Sequence, residues 1–174
     1  MIIAIDPGHG GRDSGAVGFI REVDIVYPWA DHFAGELERL GHDARFTHQR
    51  PGKHRKVSLR KRSKAANKMK ADLYISIHAD AWKTIKPEGA SAFVYSKGST
   101  AYRIAQAILP TLQEGIGWHG KQPKIANFYV LRKTHMPAIL FEIGFVTNAE
   151  DALWLMYNYK MHAVNVVRAL NEVI

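Results

Sequence analysis

The chain has 174 residues, 47% of them hydrophobic, which suits a single globular domain with its own core. Its formal net charge of +8 at pH 7 favours an anionic partner, such as nucleic acid, an anionic lipid surface or an acidic cell-wall polymer. Because it contains no cysteine, disulfides, a thiolate nucleophile and sulfur-ligated zinc are excluded.

The first apolar run, from residue 2 to residue 5, predicts a short buried strand. Asp6 ends this run too early for a secretory leader, and no run approaches the roughly 20 residues that span a bilayer. These features predict a protein made in the cytoplasm without a signal peptide or a transmembrane segment.

The rest of the chain alternates between helical and extended patterns. In order, they predict a helix over 23–40, a strand over 42–47, a basic loop over 48–57 and a helix over 59–69. Strands over 73–78 and 89–96, a helix over 100–113 and a loop over 115–127 follow. The chain closes with strands over 128–132 and 138–145 and two terminal helices, one after 148 and one over about 159–173. This alternation predicts an α/β fold: one domain with a mixed, mostly parallel sheet of about six strands and helices on both faces.

Three of the predicted strands lead into a polar side chain at or near a turn: His9, His78 and Glu142. In open α/β sheets, the crevice beyond the strand ends is the usual ligand site, so these side chains are expected to converge there. Glu22 lies 13 residues after His9, beyond a short glycine-rich loop that allows it to fold back towards that histidine.

Two histidines and a carboxylate are the ligand set of a hydrolytic zinc site, in which a water takes the fourth position. A second carboxylate, free of the metal, is then needed to accept and return a proton. The histidines and glutamates singled out above supply both requirements. The other histidines lie mostly in loops or on polar helix faces and are predicted not to bind metal: His32, His42, His48, His54, His119, His135 and His162. Of these, His119 lies in the glycine-flanked "GWHGKQ", a type of loop that can line a cleft.

Seven segments carry a family resemblance, and they occur in this order: "IDPGHGGRDSGAVG", the following Glu22, "SLRKRSKAAN", "ADLYISIHADA", "GASAFVYS", "FYVLR" and "MPAILFEIGFVTN". Together they resemble the zinc-dependent N-acetylmuramoyl-L-alanine amidases of the Amidase_3 type, which include bacterial cell-separation enzymes and phage endolysins. The resemblance runs from residue 3 to about residue 155.

The resemblance implies that Zn²⁺ is held by His9, Glu22 and His78, and that Glu142 is the catalytic glutamate. It implies hydrolysis of the amide between N-acetylmuramic acid and L-alanine in peptidoglycan. Asp6 matches the acidic residue before the metal loop and is expected to orient a ligand or the turn.

Other matching positions are expected to be structural. Arg62 and Asn67 are predicted to clamp loops, and Asn148 to cap a helix. The chain departs from the family at Asp80, where the family usually has asparagine after "SIHA". An extra carboxylate there is expected to alter the local charge or to bind a substrate ammonium.

The sequence therefore predicts a single catalytic amidase domain over residues 1–174, with no separate wall-binding domain. A phage or prophage endolysin released by a holin is the predicted source, with the net positive charge attracting anionic envelope polymers and no nucleic acid expected as partner. Two alternatives remain open at this point: a zinc peptidase that cuts the peptidoglycan stem peptide, and a non-catalytic basic module that binds cell wall or nucleic acid.

Overall fold

The computed structural model describes residues 1–49 and 56–174. Within these ranges, six strands and five helices follow one another along the chain: β1 (Ile2–Pro7), α1 (Glu22–Arg39), β2 (Asp43–Phe46), α2 (Leu59–Met69), β3 (Leu73–Asp80), β4 (Ser91–Val94), α3 (Thr100–Leu112), β5 (Lys124–Ile125), α4 (Tyr129–Lys133), β6 (Ala138–Phe145) and α5 (Ala149–Asn171). The predicted α/β class is confirmed.

The six strands form one sheet in the order β2-β1-β3-β6-β4-β5. β2, β1, β3 and β6 pair in parallel with one another in that order, whereas β4 runs antiparallel to β6 and parallel to β5. The sheet is therefore mixed and mostly parallel, as predicted. The carboxyl ends of β1, β3 and β6 and the amino end of β4 lie at the same edge.

Helices cover both faces of the sheet. Alternate residues of a strand point to opposite faces, so Ile3 and Ile5 of β1 join the larger apolar cluster while Ala4 joins a smaller one. The larger cluster contains residues of α1, α3 and α5, and the smaller one contains residues of α2 and α4. Close packing of these layers stabilises the strand ends that carry the site residues.

Side-chain caps begin three of the helices, including the one predicted at Asn148. Ser58 accepts a hydrogen bond from the backbone N–H of Lys61 at α2, and Ser99 accepts one from Tyr102 at α3. Asn148 accepts two at the start of α5. Each side chain satisfies an N–H that the first helical turn leaves without a partner.

The strand predicted over residues 128–132 is wrong, because most of these residues lie in the short helix α4. In so short an apolar run, helical and extended periodicities are not distinguishable. The adjacent Val130 and Leu131 are both buried in the smaller cluster, which a helical turn allows on one face. The sixth strand is instead β5, which lies inside the predicted loop over 115–127.

The two predicted terminal helices are one continuous helix, α5. Its buried positions keep helical spacing straight through the predicted break, because Leu155 and His162 lie seven residues apart on the same buried face. No helix in the described part of the chain has the length and hydrophobicity needed to cross a bilayer.

Candidate metal centre

Three predicted ligands converge at the carboxyl end of the sheet. His9 follows β1, Glu22 begins α1 and His78 lies in β3, and one donor atom from each lies within 4.8 Å of the others. His9 Nε2 is 3.1 Å from one carboxylate oxygen of Glu22, and His78 Nδ1 is 2.9 Å from the other. This is the only such group among residues 1–49 and 56–174.

The loop after β1 holds His9 in a left-handed backbone conformation, with φ of 59°. Such a φ is uncommon for a residue with a side chain, and strain of this kind persists only where the surroundings impose it. Tyr27 and Arg62 both donate hydrogen bonds to the His9 carbonyl oxygen, at 3.2 and 2.7 Å. Asp13 Oδ1 lies 2.9 Å from His9 Nδ1, which leaves Nε2 for the centre.

Two glycines make room for the ligands. A Cβ at Gly8 would lie 2.5 Å from Cε1 of the His78 ring, and one at Gly15 would lie 2.8 Å from Cδ2 of His9. Heavy atoms do not approach this closely, so a side chain at either position would displace a ligand. The glycines of "DPGHGGRDSG" thus leave the space that the imidazole rings occupy.

Glu22 is buried, yet its carboxylate is fully engaged. Besides both histidines, it accepts hydrogen bonds from the backbone N–H groups of Ala16 and Ala79, at 2.9 and 3.2 Å. Burial alone would raise the pKa of Glu22, but the hydrogen bonds and charges of His78 and His9 outweigh it and hold the pKa well below its usual value. Glu22 is therefore an anionic candidate ligand that four neighbouring groups hold in place.

The donor set fits a divalent metal of the zinc type. Imidazole nitrogens and one carboxylate are the protein ligands of hydrolytic zinc sites, which keep one position open for water. The side chains of His9 and His78 are 26% and 20% exposed, so the centre faces solvent on one side. The chain thus has the ligands and the access that such a metal requires.

Glu142 lies in β6 directly opposite His78 in the parallel register. Its Oε2 is buried and has no hydrogen-bond partner among the described residues, which is unusual for a buried carboxyl oxygen. Burial raises the pKa of Glu142 well above its usual value, the charges of Asp80 and Glu22 raise it further, and Lys124 opposes the shift. A carboxyl group with a raised pKa is suited to exchange protons near neutral pH.

Asp6 lies beneath the metal loop and is the centre of a buried polar network. It accepts hydrogen bonds from Thr47 at 2.5 Å, Tyr74 at 2.6 Å and Arg62 at 3.1 Å. Burial would raise its pKa, but hydrogen bonds, the largest from His48, and the Arg62 guanidinium hold the pKa well below its usual value. The network ties β1, β3 and α2 to the backbone of the metal loop.

Arg62 has the clamping role predicted for it. It is 3% exposed, and it donates to the carbonyl oxygens of Val57, Pro7 and His9, as well as to Asp6. Asn67 likewise links the backbone of Lys133 and His135. Both side chains therefore hold loops in place.

Several supporting residues escaped the sequence reasoning. Tyr74 and Ser76 precede His78 at intervals of two, and both hydrogen-bond to Asp6. Period-two spacing puts them on the same face as His78, so this signal was available. Asp13 follows His9 by four residues within the turn-rich loop, but sequence alone does not reveal that its carboxylate reaches the ring.

The predicted substrate contact, Asp80, ends β3 next to the centre. Its Oδ1 accepts a hydrogen bond from the N–H of Ala81 at 2.7 Å, and its charge acts on Glu142. His119 packs edge-on against Phe145, with ring centroids 4.7 Å apart. The loop that carries His119 therefore lies beside the end of β6.

The remaining histidines among the described residues lie apart from the metal group. His162 is buried, accepts a hydrogen bond from Trp29 Nε1 at 3.2 Å, and its Nε2 lies 2.9 Å from the Leu112 carbonyl oxygen. His48 belongs to the Asp6 network, while His42 contacts Asn171 and His32 packs near Tyr159. His135 contributes its backbone N–H to Asn67, and His54 lies outside the described residues.

Comparison with known proteins identifies the family. Residues 3–172 match Amidase_3, described as N-acetylmuramoyl-L-alanine amidase. The chain is 33% identical over 153 residues to the N-acetylmuramoyl-L-alanine amidase LytC of Bacillus subtilis (strain 168), in a match covering 86% of this chain and 30% of LytC. It is 31% identical over 167 residues to the germination-specific N-acetylmuramoyl-L-alanine amidase of the same organism, covering 88% of this chain and 70% of that protein.

The structural comparison agrees. The N-acetylmuramoyl-L-alanine amidase AmiC2 of Nostoc punctiforme superposes with a TM-score of 0.87 at 31% identity, and the match covers 99% of this chain and 96% of that one. The chain spans less than a third of the length of LytC, so it corresponds to one part of that protein. The fold, the ordered motifs and these matches together establish that the chain belongs to the Amidase_3 family of N-acetylmuramoyl-L-alanine amidases.

Proposed function

We propose that this chain hydrolyses the amide bond between N-acetylmuramic acid and L-alanine in peptidoglycan, and that Zn²⁺ is its metal. The observation that carries the proposal is the convergence of His9, Glu22 and His78 on one point, with Glu142 in register beside His78. A binding module has no use for a carboxyl group with a raised pKa beside a set of metal ligands.

His9, Glu22 and His78 would hold the metal. When bound, Zn²⁺ supplies a Lewis acid for the scissile carbonyl and lowers the pKa of a water ligand towards neutrality. Asp13 would keep the Nε2 lone pair of His9 directed at the centre by accepting the Nδ1 proton. Asp6 and Arg62 would hold the loop that presents His9, since Arg62 binds the His9 carbonyl directly.

Glu142 would act as general base and then as general acid. Its carboxylate would accept the proton of the attacking water and return it to the nitrogen of the leaving alanine. The unpaired Oε2 leaves one oxygen of this group available for that transfer. Because its pKa is raised above the usual carboxyl value, the group is a stronger base than an ordinary carboxylate and takes the proton of the water more readily.

The test is Glu142→Gln, compared with Glu38→Gln as the matched control on an exposed face of α1. Loss of a positioned general base lowers the rate by about 10²- to 10⁴-fold, so we expect Glu142→Gln to be nearly inactive while it retains the zinc content of the wild type by elemental analysis. Glu38→Gln should match the wild type in activity and in zinc content. Near-wild-type activity of metal-loaded Glu142→Gln would contradict the assigned role.

Mass spectrometry of digested cell wall identifies the bond that is cut. An amidase releases intact stem peptides with a free alanine amine, whereas a stem peptidase releases fragments of those peptides. Release of intact stems, abolished by a chelator and restored by zinc, is the expected result. Stem fragments would favour the peptidase instead.

Three narrower proposals accompany this one. We propose that residues 1–174 form a single catalytic domain, that Asp80 receives the ammonium of the alanine as it leaves, and that the net charge of +8 attracts anionic envelope polymers. Because salt screens such an attraction, added salt should weaken binding of the chain to cell wall. An endolysin role predicts lysis of host cells when the chain is expressed together with a holin, and no lysis without it.

A further inference from the structure

Lys124 brings a positive charge to the side of the sheet that carries Glu142. In β5 it lies in register with Phe93 of β4, and its Nζ is 5.3 Å from the centroid of the Phe93 ring. Phe93 packs against the smaller apolar cluster and pairs with Leu140, two residues before Glu142 on β6. Because side chains two residues apart share a face, Lys124 and Glu142 project from the same face.

The Lys124 ammonium is half-buried, and within residues 1–49 and 56–174 it forms neither a hydrogen bond nor an ion pair. The charges that act on it are the carboxylates of Asp80 and Glu142. An ammonium partly withdrawn from water is stabilised when an anion hydrogen-bonds to it. Lys124 is therefore suited to receive an anionic group from outside the chain.

The geometry of the sheet indicates which part of a substrate that group belongs to. β5 and β6 are separated by β4, so their backbones lie about 10 Å apart at roughly 4.8 Å per strand. An extended peptide advances about 3.5 Å per residue. A peptide whose alanine nitrogen lies at Glu142 and whose chain runs towards β5 brings its next residue between β6 and β5, within reach of the Lys124 side chain.

We propose that Lys124 binds the free α-carboxylate of the residue that follows alanine in the leaving peptide, and so selects stems in which this group is not amidated. The proposal rests on the proposed amidase function. In peptidoglycan stems this residue is a glutamate linked through its γ-carboxyl, and its α-carboxyl is either free or converted to an amide. The carboxylate would bind at the Lys124 ammonium, between β6 and β5.

The experiment uses two muramoyl peptides that differ only in this group, carboxylate or carboxamide. kcat/KM is measured on both for the wild type, Lys124→Met, Lys124→Arg and Lys121→Met. Lys121 is the matched control, because it is exposed on the same loop and its Nζ lies 5.6 Å from the ring of Trp118. Methionine retains an apolar stem over Phe93, and arginine retains the charge.

We expect the wild type to prefer the carboxylate substrate by about 10- to 100-fold, the usual effect of one charge-assisted hydrogen bond. Lys124→Met should bring the ratio close to one by losing activity on the carboxylate substrate alone. Lys124→Arg and Lys121→Met should keep the preference. The ratio of two substrates on one protein is insensitive to a general loss of folded enzyme.

Two results would overturn the inference. Equal losses on both substrates in Lys124→Met would mean that the lysine acts through Glu142 or through the fold. Equal wild-type rates on both substrates would mean that the carboxylate is not recognised. In either case, release of a free alanine amine leaves the proposed function intact, whereas failure of the wild type to release it from either substrate contradicts that function itself.

Discussion

Replacing Gly8 by alanine tests whether the space left for His78 sets the metal affinity. The added Cβ would lie 2.5, 2.6 and 2.9 Å from Cε1, Nδ1 and Nε2 of the His78 ring. Ordinary van der Waals contact begins at 3.4 Å, so the ring must move by about 1 Å. All three contacted atoms belong to a side chain that is partly exposed, and the backbone need not move with it.

The effect should therefore fall on the metal and spare the fold. Disturbing a ligand's support typically lowers metal affinity by about 10- to 100-fold, and a misplacement of about 1 Å lowers activity by about 10²-fold. Zinc affinity is measured by competition with a chromogenic chelator, activity by release of the alanine amine, and stability by thermal unfolding of the metal-free protein. We expect Gly8→Ala to bind zinc more weakly and to release the alanine amine more slowly than the wild type. The Tm of the metal-free variant should equal that of the wild type.

Gly35→Ala is the control. Gly35 lies exposed in α1, and a Cβ there meets nothing within 4 Å, so the change should raise stability by about 0.5–1 kcal/mol and leave zinc binding unaltered. Wild-type zinc affinity in Gly8→Ala would refute the spacing argument. A large fall in Tm of the metal-free variant would show that the fold, and not the ligand, had been displaced.

The remaining predictions concern stability. Burial lowers the pKa of His162 from 6.5 to about 4, and the hydrogen bond to Leu112 acts in the opposite direction. As the pH falls, this histidine therefore takes up a proton in the unfolded state before it does so in the folded state. The free energy of unfolding should fall by about 3 kcal/mol between about pH 6.5 and about pH 4. Urea unfolding at pH 7 and pH 4 should show this loss in the wild type and a smaller one in His162→Gln; equal losses would exclude His162 as the cause. Asn148→Ala removes the cap of α5 and the hydrogen bond to the Ile85 carbonyl, and calorimetry should find about 1–2 kcal/mol less stability, whereas no change would mean that water replaces the cap.

Sequence reasoning predicted that the candidate ligands would converge because two of them follow apolar runs. His9 and His78 belong to strands whose buried residues are evident from the pattern, and parallel strands bring such positions to one edge. The position of Glu22 was predicted from the shortness of the loop that precedes it. In the structure, the Ala16 N–H donates a hydrogen bond to the Glu22 carboxylate, and a β-bridge joins Val17 to Arg21. Local pattern and chain length were sufficient for these residues.

The parts that sequence reasoning missed depend on contacts between distant segments. Thr47 reaches Asp6 across 41 residues, and nothing near either residue signals the bond. β5 has only two residues, too few to produce a pattern, and its place at the edge follows from pairing with β4. Residues 128–132 have a composition typical of strands, but burial of Val130 and Leu131 beside α2 selects a helical turn.

Two different groups of elements hold the two sides of the candidate site, because β4 runs antiparallel to β6 and begins a separate parallel pair with β5. The three candidate ligands depend on β1, β3 and α1. The residues around Lys124 depend on β4, β5 and the preceding loop, in which the backbone N–H of His119 and the side-chain amide of Gln113 donate hydrogen bonds to the carbonyl oxygen of Ala90. Residues 114–125 supply no metal ligand. Under the proposed function, exchange of this segment would alter which cell walls are cut and would leave the candidate metal ligands in place.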